Sequence, residues 1–153
     1  MKDLTLPRVR IRLSPLTYVI IGLMAVELVL TVLALSLPWG KAASGADVRF
    51  GLGGLLPWFG FVPILLQIGY LAVEAGVLRG LYLVTNFMIG LFIIFVHYLT
   101  YIRNTTNFQW GFYLVFVLGG VILVTGIMCL VERAVYAGAE EKAPAGDIPV
   151  SFG

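Results

Sequence analysis

Few residues in this chain have the chemistry to carry a proton, bind a metal or hold a polar ligand, and they lie inside long apolar runs. They are Glu27, Gln67, Tyr70, Glu74, Asn86 and His97, with Cys129 as the single thiol. Glu27 could carry a proton in exchange for a substrate, with Gln67 and Tyr70 supplying hydrogen bonds. Equally, it could be hydrogen-bonded to a neighbour such as Gln67 and fix how helices pack, because an ionisable group within a bilayer is costly unless paired or hydrated. His97 is the single histidine, so a haem held by it would need a methionine or another subunit as its second axial ligand. Met24, Met88 and Met128 all fall closer to the opposite membrane face than His97, which is unfavourable geometry. Cys129 leaves no intrachain disulfide and no cysteine-based metal motif; it reads as a small apolar residue on a helix. No nucleophile, phosphate or metal-ligand signature accompanies these groups. The expectation is therefore a protein that is not an enzyme and has no metal, with a haem or pigment contact through His97 as the sole cofactor reading.

The elements that must position these residues are apolar segments. Hydrophobic residues make up 60% of the 153 and charged residues 12%, about half the charge of a soluble domain, and the mean hydropathy is +1.00. Apolar stretches run from about 16–38, 57–78, 81–102 and 109–131. Each is close to the roughly 20 residues a helix needs to cross a hydrocarbon core of about 30 Å. The fold class expected is an all-α integral membrane protein, a bundle of four transmembrane helices. It divides into a basic N-terminal arm (1–15), a membrane domain (16–133) and a flexible C-terminal tail (134–153). Arg8, Arg10 and Arg12 of the arm suit anionic headgroups, and the first apolar segment is too long for a signal-peptide core. Residues 40–56 form a glycine-rich loop with at most a short surface element. Arg79 and Gly80 separate the second and third helices in a tight hairpin.

Cations set the expected orientation. With the N-terminus inside, Lys2, Arg8, Arg10, Arg12, Arg79, Arg133 and Lys142 are cytoplasmic, while Lys41, Arg49 and Arg103 are outside. That bias predicts both termini on the inner face of an inner or plasma membrane. Trp39, Trp58, Trp110 and Tyr101 then fall at the outer boundary as an interfacial aromatic belt.

Helical spacing groups the polar residues. Pro63, Gln67, Tyr70 and Glu74 share one face of the second helix, and Asn86, Gly90, His97 and Tyr101 one face of the third; both stripes should point into protein. Gly69 and Gly76 on the second helix, and Gly119 and Gly126 on the fourth, repeat every seven residues as helix-packing faces where backbones approach closely. A glycine face opposite the polar stripe would place the second helix at the bundle centre or at a subunit interface.

Glu27, a lone glutamate in the first of four apolar segments, resembles the membrane carboxyl of small multidrug resistance exporters, which would imply proton-coupled export. The glycine-rich loop, the tail and the other helices depart from that pattern. Trp39 and Gly40 before the outer loop invite comparison with claudin-like tetraspan proteins, but the paired loop cysteines of that class are lacking. Three functions remain. The first is an accessory or scaffold subunit of a larger membrane complex, such as a respiratory or photosynthetic one. The second is a small proton-coupled transporter or channel built on Glu27, and the third a cofactor-binding electron-transfer subunit. The expected partners are the lipid bilayer and other membrane subunits or copies of itself; the small net charge of +2 argues against nucleic acid.

Overall fold

The computed structural model describes residues 14–41, 44–48, 55–73, 76–103 and 108–142, with side chains described for these except 48, 55–59, 76, 100, 103 and 136–142. Four helices make up almost all of it: α1 (Pro15–Ser36), α2 (Leu55–Ala72), α3 (Gly76–Arg103) and α4 (Trp110–Lys142). The segments Pro15–Ser36, Val77–Leu99 and Trp110–Val135 are long and apolar enough to cross a membrane, and Gly60–Ala72 is a shorter apolar helix. This is the architecture of a helical membrane protein.

Ser14 starts α1 with a capping box: its hydroxyl accepts from the Thr17 amide at 3.0 Å, and the Thr17 hydroxyl accepts from the Ser14 amide at 3.3 Å. Pro15 fills the first turn, where its missing N–H is harmless. At the far end the Leu37 amide still bonds the Leu33 carbonyl, and the Trp39 indole N–H donates to the Ala34 carbonyl. These bonds satisfy carbonyls that a helix terminus otherwise leaves open.

The chain then forms a small antiparallel ribbon, β1 (Gly40–Lys41) with β2 (Asp47–Val48), pairing Gly40 with Val48 and Lys41 with Asp47. Gly45, at φ +81°, makes the left-handed turn between them. Gly40 also bridges to Phe108, and the Gln109 amide donates to the Trp39 carbonyl at 3.0 Å. The ribbon thus ties the end of α1 to the start of α4.

The helices form a ring in which α1 packs on α2 and α4, and α3 packs on α2 and α4. Helix α2 therefore lies on the ring between α1 and α3 and not at the bundle centre. Two apolar clusters fill the interior. Ala34, Trp39, Ile93, Phe112, Val115, Leu118 and Ile122 form the one toward the ribbon, and Ile20, Tyr70, Leu83 and Cys129 form the one toward the opposite end.

Several boundaries differ from the sequence expectation. The second helix ends at Ala72 and the third begins at Gly76, so Gly76 opens α3 and does not share a face with Gly69. Arg79 lies inside α3, not in a turn, because its long stem lets its Nε reach the Val73 carbonyl at 2.6 Å. Helix α4 continues through Glu132 and Arg133 to Lys142, eleven residues past its expected end and into the segment read as a flexible tail. That stretch is rich in Ala and Glu, which favour helix without any apolar requirement.

Candidate functional site

Between the two apolar clusters lies a polar layer to which every helix contributes. Glu27 from α1 and Gln67 from α2 are almost fully buried, as are Asn86 from α3 and Thr125 from α4. Gln67 Nε2 donates to both Glu27 carboxyl oxygens at 3.0 Å and to Asn86 Oδ1 at 3.1 Å. Asn86 Nδ2 in turn donates to the Ile122 carbonyl of α4 at 3.1 Å. Thr125 Oγ1 makes a short hydrogen bond to Glu27 Oε1 and lies 2.9 Å from the Val121 carbonyl. One turn along α1, the Thr31 hydroxyl donates to the Glu27 carbonyl at 2.7 Å.

The polarity of this chain is fixed at one end. A backbone carbonyl can only accept, so the Ile122 oxygen orients the Asn86 amide, whose oxygen then orients Gln67, whose nitrogen must face Glu27. Gln67 Oε1 is left as a buried oxygen with no donor.

A second polar group lies farther from the ribbon. Tyr70 of α2 is buried, and its hydroxyl lies 2.7 Å from the Cys129 carbonyl and 2.9 Å from Glu132 Oε2, both on α4. Glu132 is itself 3% exposed, a glutamate buried within the bundle. The Arg79 guanidinium stands 5.2 Å from the centre of the Tyr70 ring, within cation–π range. Cys129 is buried among these groups as a free thiol.

His97, nearer the ribbon, is 2% exposed. Its Nδ1 donates to the Ile93 carbonyl at 2.9 Å, since that oxygen has no hydrogen to offer. The rings of Trp39, Phe112 and Phe116 surround it at centroid distances of 5.4, 5.3 and 5.7 Å. Among the described residues no group of three His, Cys, Asp or Glu side chains could hold a metal ion.

The remaining sequence candidates are dispersed. Pro63 is buried on the same α2 face as Gln67 and Tyr70, whereas Glu74 lies outside the described residues. Trp110 and Tyr101 are exposed, and Tyr101 stacks on Phe108. Trp39 differs: it is 6% exposed and packs against His97 and Phe112, because its N–H serves α1 and draws the ring inward. The side chain of Trp58 lies outside the described residues.

A Cβ added at Gly69 would meet the Tyr82 ring at 3.0 Å, at Gly119 the Ile94 side chain at 2.7 Å and at Gly126 the Phe87 ring at 3.0 Å. Gly90, which the spacing groups with the polar stripe of the third helix, is equally close, 2.9 Å from Leu123. Thr125, Thr31 and Gly60 escaped the sequence reading. A count from the ribbon-side helix ends does not pair Thr125 with Glu27, since the first is 15 residues from Trp110 and the second nine from Ser36. Gly60 faces Thr31 across the α1–α2 contact.

No protein-family model matches the chain, and neither a characterised protein nor a solved structure shows significant similarity to it.

Proposed function

We propose that this protein is a non-catalytic subunit of a larger membrane assembly, a four-span bundle with both termini on the cytoplasmic face that serves as a scaffold for its neighbours. The observation that carries this reading is the polar layer. The groups that could have served a substrate are engaged with one another, one from each helix, so they hold the bundle in a single arrangement. Interhelical hydrogen bonds of this kind contribute roughly 0.6–2 kcal/mol each in membranes. The outward faces are apolar and aromatic, with Val19, Val26 and Val29 of α1 and Met88, Leu91 and Phe95 of α3 exposed, which suits lipid or other membrane subunits. Purification from native membranes in mild detergent tests the proposal: a stoichiometric complex with other membrane proteins is expected, and isolation as a lone chain or a clean homodimer would overturn it.

A small proton-coupled transporter or channel is the second reading. It is favoured by the side-chain partners of Glu27, Gln67 and Thr125, both uncharged. Proteoliposomes carrying wild-type or Glu27→Gln protein, with candidate substrates supplied, separate the two. The scaffold reading expects no substrate-dependent proton flux from either protein; flux that disappears in Glu27→Gln would replace it.

A further inference from the structure

The hydrogen inventory of the polar layer is uneven at Thr125. Its hydroxyl owns one hydrogen, yet it lies within hydrogen-bond distance of two oxygens, Glu27 Oε1 and the Val121 carbonyl. One hydrogen shared between two acceptors makes a bent, weaker contact to each; both contacts are full hydrogen bonds only if one oxygen brings a hydrogen of its own. The Val121 carbonyl cannot. Gln67 cannot supply it either, because the Ile122 carbonyl fixes the direction of the Asn86–Gln67 chain so that Gln67 presents N–H to Glu27. The carboxyl of Glu27 can.

We propose that Glu27 is a proton-binding site: it carries a proton on Oε1 and donates it to the Thr125 hydroxyl, which donates its own hydrogen to the Val121 carbonyl. Gln67 then holds the other carboxyl oxygen, and each oxygen of the relay has a partner. The side chains hydrogen-bonded to the carboxyl are the Gln67 amide and the Thr125 hydroxyl, with Asn86 of α3 behind Gln67 of α2. The nearest titratable group along α4 is Cys129, one turn from Thr125. Removal of the proton leaves one hydrogen fewer in the relay, and the Thr125 hydroxyl turns from Val121 to the carboxylate. The bound proton therefore sets which of two acceptors Thr125 serves. This goes beyond the scaffold reading and holds whether or not the protein moves protons across the membrane.

Infrared absorption of the purified protein in lipid at neutral pH tests the proposal without reference to activity. Wild type minus Glu27→Gln is expected to show the C=O stretch of a protonated carboxyl, and Thr125→Val is expected to move that band to higher frequency because the O–H loses its acceptor. Thr125→Ser, which keeps the hydroxyl, leaves it near the wild-type position. A difference spectrum with carboxylate stretches only, or a band that Thr125→Val does not move, overturns the proposal. The two Thr125 variants retain the wild-type Glu27, so the band shift remains readable even if Glu27→Gln fails to fold.

Discussion

Gln67 is the residue on which the polar layer depends most, since its single nitrogen serves both oxygens of Glu27 and the oxygen of Asn86. Replacing it with leucine keeps a similar bulk but strands acceptors on two other helices. A buried group left without a partner costs about 1–3 kcal/mol. Gln67→Leu is therefore expected to lower the stability of the bundle in detergent titrations followed by circular dichroism, and by more than Tyr101→Leu, whose parent side chain is half exposed. Equal stability of the two variants would remove Gln67 from this role. The Glu27–Gln67 contact was legible in the sequence because each is an isolated polar residue near the middle of an apolar run. Thr125 was not, because a helical threonine is ordinarily satisfied by the carbonyl four residues earlier, as this one also is by Val121.

At the scale of elements, the helix ends show what local pattern can and cannot specify. Apolar length located the four helices well. The charge of Arg79 suggests an end to α2, yet Arg79 belongs to α3 and bonds the carbonyl of Val73, a contact that hydropathy cannot register. Similarly, tryptophan at a segment end suggested a membrane boundary, but Trp39 turns inward to bond Ala34. Its position is shared with Gly111, where an added Cβ would lie 2.7 and 2.9 Å from the carbonyl oxygens of Leu37 and Pro38. Those are backbone atoms and cannot rotate away. Gly120, on the same helix, has open space around it. Gly111→Ala is accordingly expected to destabilise by about 1–3 kcal/mol through overpacking, whereas Gly120→Ala should stabilise by roughly 0.5–1 kcal/mol through helix propensity. Thermal unfolding of the two alanine variants beside wild type gives the comparison, and a loss at Gly120 equal to that at Gly111 would contradict it.

For the whole molecule, the ring of helices places the start of α1 beside the C-terminal part of α4, with the ribbon at the opposite end. The proposed orientation puts that ribbon outside the cell. Cysteines introduced at Ser44, which is exposed, and at Ser151, beyond the described residues, should react with an impermeant maleimide from opposite sides of the membrane. The native thiol is buried, so background labelling should be low. Labelling of both positions in intact cells would reverse or dissolve the assigned topology.

The ring also has a consequence in time. Glu27 lies in α1, which is synthesised before α4, and Thr125 follows it by 98 residues. At translation rates of about 5–20 residues per second, that interval is roughly 5–20 seconds. Throughout it, the nascent α1 presents its carboxyl to lipid or to whatever protein shelters it, with Gln67 and Asn86 emerging on the way. A chain truncated before α4 should therefore retain α1 in the membrane poorly, and Glu27→Leu should restore its retention in the truncated chain. A residue that joins the helices of the finished bundle is thus one that makes the biogenesis of α1 dependent on α4.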